Sequence, residues 1–413
     1  MTELQLKSIF ENTDFVHASG TPEELRAAEY LKKCCEEMGV EAHLESFRVA
    51  MAEMDSCSVT ADGREIPCKA FFGCGCGEVE GELYYMPGQD PVSIAGAKDR
   101  IVLMDTQGIG RFAYQDLMKA GAKGILFQYG NMYYPHQDID QRDLREHVVG
   151  EERKVLCAMI HSSEAVRLVR EHAQRIRISV RQKEYDGESH NVVAEIPGRR
   201  DEFITLSAHY DTTSLSHGAY DNMSGCAGLL GVMDALKDRP LNYGLRFVFC
   251  GSEERGLLGS KAYVRDHENE LEKTVLNINL DMIGAIMGKF IARVSAEDKL
   301  AHYLSYMGAE LGFPVEAKTG VYSSDSTPFA DKGVPSLSFA RIAPPTAGSI
   351  HERYDTPAIV SAEQVLIDTE FIAGFTGRMA NAVRCPVKRE IPEKIKDKLD
   401  VYLNRKRAPK QPD

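Results

Sequence analysis

The segment SAHYDTTSLSHGAYDNMSGCAG, residues 207–228, closes an apolar run and at once presents His209, Asp211, His217 and Asp221, with glycines leading into a helical pattern. Imidazole and carboxylate groups bind divalent cations, and they also move protons near neutral pH. The pattern recurs along the chain. Glu253 and Glu254 follow the apolar FVFCGS, Asp281 follows NINL, and His351 stands in GSIHERYDTP beyond a further apolar run. One such residue at a strand end is an ordinary turn former or cap. Two histidines, three carboxylates and an adjacent glutamate pair gathered at one edge would repel one another strongly unless a cation offset them. Mixed nitrogen and oxygen donors without cysteine favour zinc, with manganese and cobalt as alternatives.

The elements that must position these groups follow from hydrophobic periodicity. From Asn191 onward, apolar runs (NVVAEIPG, FITLSAHYD, LRFVFCGS, VLNINLD, PSLSFA) alternate with amphipathic ones (MSGCAGLLGVMDALK, GLLGSKAYVRDHENELE, AEDKLAHYLSYMGAEL). A last helical stretch covers 361–384. This alternation predicts an α/β domain with a mixed, largely parallel sheet sandwiched by helices. In such sheets ligands gather outside the carboxyl ends of strands, where the residues above fall. Upstream, Thr21, Pro22 and Glu24 form a helix start, the periodic Leu25, Ala28, Leu31, Cys35 and Met38 run to Gly39, and EAHLESFRV (41–49) alternates as a strand. Residues 55–187 read as a separate unit: RIVLMD, ILFQYG and VLCAMIH as strands, RFAYQDLMKAGAKG as a helix, and the polar 131–154 as an exposed loop. The expected organisation is 1–54 and 188–385 as one domain, 55–187 inserted in it, and 386–413 as a charged tail.

Composition narrows the function classes. With 413 residues, two domains are expected. A net charge of -13, 62 acidic against 49 basic residues, offers no basic face for nucleic acid. The one locally basic stretch, KREIPEKIKDKLDVYLNRKRAPK, mixes signs as a solvated helix does. No window approaches the roughly 18–20 apolar residues of a membrane span. MTELQLKSIFENTDF lacks the uninterrupted apolar core of a secretory signal, so the cytoplasm is the expected compartment and the ten cysteines are expected as reduced thiols. Cys57, Cys68, Cys74 and Cys76 cluster in sequence. Their spacing is tighter than a zinc finger's, which favours free thiols over a structural metal.

The motifs SAHYD, GAYDNMSG, GSEERGLLGS, NLDMIG and IHERYDTP, in this order, make the chain similar to the co-catalytic dinuclear zinc aminopeptidases of the bacterial leucyl aminopeptidase type, whose relatives include glutamate carboxypeptidases and glutaminyl cyclases. The resemblance covers 188–384 and the N-terminal helix and strand, and implies the zinc exopeptidase fold. The IVLMD…KAGAKGILF pattern makes 55–187 resemble the protease-associated domain that some members insert. Carried over, the resemblance implies that His209 and Asp281 hold one zinc, Glu254 and His351 the other, and Asp221 bridges them. It also implies Glu253 as general base, Asp211 orienting His209, and a cis bond between Asp221 and Asn222. Asp355 would serve His351 in the same way or cap a helix, and His217 has no role beyond an exposed loop. Two departures matter: Ile350 replaces a tyrosine, and Ser323 an arginine, found in some relatives. The oxyanion contact then falls to Tyr322 or the inserted unit. The implied activity is a metal-dependent aminopeptidase acting on peptides, with no nucleic-acid or membrane partner and an open oligomeric state. A cyclase-like or carboxypeptidase-like activity, a related deacylase, or a non-catalytic peptide-binding relative remain as alternatives.

Overall fold

The computed structural model describes residues 1–134 and 136–408. The chain forms two compact units, one of Met1–Val49 and Glu188–Lys406, the other of Ala50–Gly187 with Arg407 and Ala408. No helix among the described residues is long and apolar enough to cross a membrane.

In the first unit the strands lie in the order Glu316–Thr319, Lys289–Ser295, Ser336–Ile342, Thr274–Leu280, Phe203–His209, Gly244–Cys250 and Ile176–Ile196. The four strands beginning at 336, 274, 203 and 244 are mutually parallel; Lys289–Ser295 and Ile176–Ile196 pair antiparallel to their flanks. This is the expected mixed, largely parallel sheet, and the reason is visible in FITLSAH and GLRFVFC, where every residue is buried. Ile204, Leu206, Leu245 and Phe247 pack with the helices Glu3–Asn12, Pro22–Glu37, Ser224–Leu236 and Ala362–Ala380. Val248 and Cys250 pack the other way, with Tyr263, Val264 and Phe329. From Phe203–His209 the chain moves to one neighbour, Gly244–Cys250, and then back to the other, Thr274–Leu280. That reversal opens a crevice at the carboxyl end of the Phe203–His209 strand.

The helix start at Thr21 is as expected: its hydroxyl accepts from the Glu24 N–H at 3.2 Å, Pro22 opens the helix, and Gly39 turns the chain out of it at φ +79°. Three segments differ from expectation. The strand foreseen over 41–49 continues as Ala42–Ala61. The region 131–154 is not wholly an exposed loop, because Leu144, Val148 and Val149 are buried and Glu146–Val149 is helical. The expected charged tail is folded into the first unit as far as Lys406, since the helix Glu393–Tyr402 buries Ile395 and Leu399, with Ile391, against Ala330. Positions 409–413 of that tail lie outside the described residues.

The second unit has its own five-stranded sheet, in the order Cys68–Ala70, Leu156–His161, Gly124–Tyr129, Ile101–Met104 and Leu83–Met86, parallel apart from the first. Its core is built from Ile101, Val102, Ile125, Leu126, Phe127 and Ile160 with the surrounding helices.

Candidate metal centre

The sheet register sets the site. Ser207 pairs with Asn279 across two parallel strands, so the chain leaves both at the same level, at His209 and Asp281. His209 also sits opposite Cys250, one turn before Ser252, Glu253 and Glu254. Asp221 is held by its neighbour: the Asn222 amide donates to the Leu280 carbonyl at 2.9 Å, and its oxygen accepts from the N–H groups of Gly225 and Met282 at 3.0 and 2.9 Å. Glycine is required at 225, because a Cβ there would lie 2.4 Å from that oxygen. The Asp221–Asn222 peptide bond is cis.

These placements bring five predicted residues together. His209 Nε2 lies 3.1 Å from Asp221 Oδ1 and 3.8 Å from Asp281 Oδ1. His351 Nε2 lies 3.2 Å from Asp221 Oδ2 and 2.9 Å from Glu254 Oε1. Asp221 thus turns one carboxylate oxygen toward each histidine. Two donor triads result, His209–Asp221–Asp281 and Asp221–Glu254–His351, with the ligand atoms of each within 4.8 Å of one another. None of the four clustered cysteines belongs to a triad.

The electrostatics fit a cationic occupant. Burial, countered by His209 but reinforced by neighbouring carboxylates, pushes Asp281 up to about 8. Glu253, also through burial first, is held well above its ordinary value, and Glu254 is raised too. Asp221 moves the other way: burial would raise it, but hydrogen bonds from His209 and His351 outweigh that and hold it low. His351 rises to about 11, since Glu254 and Asp221 overcome the opposing effect of burial. So many carboxylates cannot all shed protons beside two neutral imidazoles, and positive charge among them relieves the strain. The donor set of two imidazoles and three carboxylates, with one shared carboxylate, suits a pair of divalent ions.

Asp211 does more than expected. Its Oδ1 is 3.6 Å from His209 Nδ1, near enough to influence the ring, but its carboxylate also accepts from the N–H groups of Glu253 and Glu254, at 2.7 and 3.2 Å. Asp355 accepts from the N–H groups of Tyr220 and Asp221, at 2.7 and 3.1 Å, and thereby fixes the Asp221 loop. His217 is paired with Asp14 at 2.7 Å. Tyr322 keeps its phenol proton firmly: burial first, then the Asp281 and Asp221 charges, push it far above its usual value.

Two buried carboxylates beside the site had no functional reading in the sequence. Glu24, only 1 % exposed, accepts from Ser252 N at 2.9 Å, Ser252 Oγ at 3.1 Å, Ser189 Oγ at 2.8 Å and Gly20 N at 2.6 Å. Glu24 and Asp211 therefore hold three successive amides, 252 to 254, of the turn that carries both glutamates. As an acid in a helix's first turn, Glu24 had a sufficient local explanation. Asp325 is buried beside the cluster, accepts from Ser260 Oγ at 2.5 Å and has Oδ2 without a hydrogen bond. Its signal was its place in the polar run YSSDS, where it stands at the N-cap of the helix Ser326–Asp331.

Comparison with known proteins bears on the same region of the chain. Residues 191–374 match the model of peptidase family M28, and that span contains all five donors and Glu253. The similarity to peptidase family M28 covers less than half of the chain. The chain is 36 % identical over 163 residues to "Aminopeptidase YwaD" of Bacillus subtilis, covering 38 % of this chain and 35 % of that protein. It is 42 % identical over 97 residues to "Leucine aminopeptidase 2" of Trichophyton rubrum, covering 23 % of this chain and 20 % of that protein. The match thus spans about a third or less of those relatives' lengths. The fold extends further. An aminopeptidase from Aneurinibacillus sp. strain AM-1 superposes with TM-score 0.76 at 20 % identity over 94 % of this chain and 96 % of the other. A zinc aminopeptidase from Bacillus subtilis does so at 0.75 and 21 %, over 95 % and 98 %.

Proposed function

We propose that the protein is a metal-dependent aminopeptidase that releases N-terminal residues from peptides. The observation that carries this reading is Asp221, whose two carboxylate oxygens face His209 and His351 at 3.1 and 3.2 Å at the centre of two donor triads. His209 and Asp281 would hold one ion, Glu254 and His351 the other, with Asp221 shared. Zinc suits these donors. Two such ions, when bound, supply Lewis-acid polarisation of a carbonyl and lower the pKa of water toward about 7. Glu253 accepts the proton of the attacking water on its carboxylate and delivers it to the departing amine nitrogen. Asp211 fixes the Glu253 and Glu254 amides and steadies the His209 ring. Tyr322, with its proton retained, serves as the hydrogen-bond donor to the developing oxyanion. The carboxylate-rich pocket favours a free ammonium terminus over a substrate carboxylate.

The second unit is read as a protease-associated domain, on the IVLMD…KAGAKGILF pattern and its separate parallel sheet. The cytoplasm is the proposed compartment, supported by ten free cysteines. Aminoacyl and N-acetylated aminoacyl p-nitroanilides, assayed with and without a chelator, test the activity. Chelator-sensitive cleavage restricted to unblocked substrates is expected, and equal cleavage of the blocked series would remove the aminopeptidase reading.

A further inference from the structure

The strand Ala42–Ala61 turns back through Arg64–Ile66 in an antiparallel hairpin whose register pairs Val59 with Ile66 and Ala61 with Arg64. Continued two residues along each arm, this register sets Cys57 opposite Cys68. Their sulfurs lie 3.2 Å apart and both residues are half-buried, so the pair is close together and within reach of solvent. Directly opposed residues of antiparallel strands bring their Cβ atoms to about 4.5–5.5 Å, and a disulfide spans about 3.5–4.5 Å between Cβ atoms. Closing the bond therefore needs a small approach of the two arms rather than a rearrangement. The remaining cysteines of this unit are differently placed. Cys74 and Cys157 are buried, and Cys76 is exposed with its thiol donating to the Gln182 carbonyl at 2.8 Å.

We propose that Cys57 and Cys68 form a modification site, a cross-strand thiol pair that a small-molecule disulfide such as glutathione disulfide converts to an intramolecular disulfide. The first step is attack of the Cys57 thiolate on one sulfur of glutathione disulfide. A protein–glutathione disulfide forms and one glutathione leaves as thiolate, to be protonated by water. The Cys68 thiol then gives up its proton and attacks the Cys57 sulfur, expelling the second glutathione. Two protein S–H groups become one S–S bond, and glutathione disulfide is reduced to two glutathione molecules. The hydrogen bond between the sulfurs lowers the Cys57 thiol, which favours it as the first nucleophile, and the second sulfur already stands 3.2 Å away. This inference does not depend on the proposed peptidase activity.

The test uses the reduced full-length chain exposed to glutathione disulfide at graded ratios to glutathione, then alkylated and digested. Trypsin cuts after Arg64, between the two cysteines, so the bond appears as the peptide ending at Arg64 joined to EIPCK. That joined peptide is expected, lighter by two hydrogens than its parts and lost on treatment with dithiothreitol. In Cys68→Ser, glutathione is expected to remain on Cys57. A wild-type chain that keeps both thiols while exposed Cys76 is fully glutathionylated would overturn the proposal, as would a bond from Cys57 to any other cysteine.

Discussion

Both units of this protein are α/β structures with parallel strands, yet their strand ends carry different chemistry. In the inserted unit, Leu156–His161 ends in a histidine whose Nδ1 accepts from the Ser163 N–H, a local cap for the next helix. Its sheet leaves a cavity of about 280 Å³ lined by Leu103, Met104, Val166 and Val169, with Asp105 and Arg170. Nothing there forces like charges together. In the first unit the strand ends converge, and the layer beneath them is itself polar: Ser207 bonds Asn279 at 2.8 Å, Asn277 bonds Ser207 at 3.1 Å, and Ser324 bonds Ser338 at 2.7 Å, all buried. The architecture supplies a crevice in either case. A site arises where buried polar groups underneath let charged ones stand on top.

The largest effect should separate the two units by chemistry. Glu253→Gln is expected to lower kcat by about 10²–10⁴-fold while leaving two metal ions per chain, whereas Asp105→Asn should leave kcat within about twofold. Steady-state kinetics with metal analysis decides, and equal losses in both variants would erase the distinction. Next in size is the support of the Glu253 turn. Glu24→Ala leaves the buried Ser252 N–H without its acceptor and should lower kcat on the order of tenfold to 10²-fold in the folded enzyme. Glu24→Gln, which keeps an acceptor oxygen, should recover most of it with KM little changed. A folded Glu24→Ala enzyme with wild-type kcat would show that Asp211 alone holds the turn.

How much of this was legible follows the same division. His209, Asp221, Glu253, Glu254, Asp281 and His351 could be read because they recur after successive apolar runs and stand in motifs that occur in the order of the family the sequence resembles. The sheet was legible for the same reason, since FITLSAH and VLNINLD are too continuously buried for a surface element. Glu24 was not, because its partners Ser189 and Ser252 lie 165 and 228 residues away and only tertiary folding joins them. The extension of the first strand to Ala61 was hidden as well: its middle, AEMDSCS, buries only Ala52 and mixes half-buried with exposed residues in no regular period.

Smaller effects concern stability. Leu126→Ala, fully buried in the inserted sheet, should cost about 2–5 kcal/mol and lower the urea midpoint of that unit while leaving metal content unchanged. Loss of metal in this variant would mean that the two units do not behave independently. The least is expected at the His267–Glu45 pair, 3.0 Å apart on the first unit. The bond to Glu45 raises His267 above its usual 6.5, and the bonds from His267 and His43 lower Glu45 below 4.5 against the effect of burial. A raised histidine stabilises below its unfolded value and loses that contribution as pH rises through its folded one; a lowered glutamate does the reverse at acid pH. The pair should therefore contribute most between about pH 4.5 and 6.5, by no more than about 1 kcal/mol given its partial exposure. Thermal melts of His267→Ala against wild type should differ most near pH 5.5 and converge by about pH 9; a constant difference across that range would show that stacking on Tyr263, not charge, is what the residue provides.

The central claim is that Asp221 stands between two cation sites, and anomalous diffraction at the zinc edge from crystals of the purified protein addresses it directly. Two peaks are predicted, one against His209 and Asp281 and one against Glu254 and His351, with the Asp221 carboxylate between them. A single peak, or peaks away from these five side chains, would contradict the account.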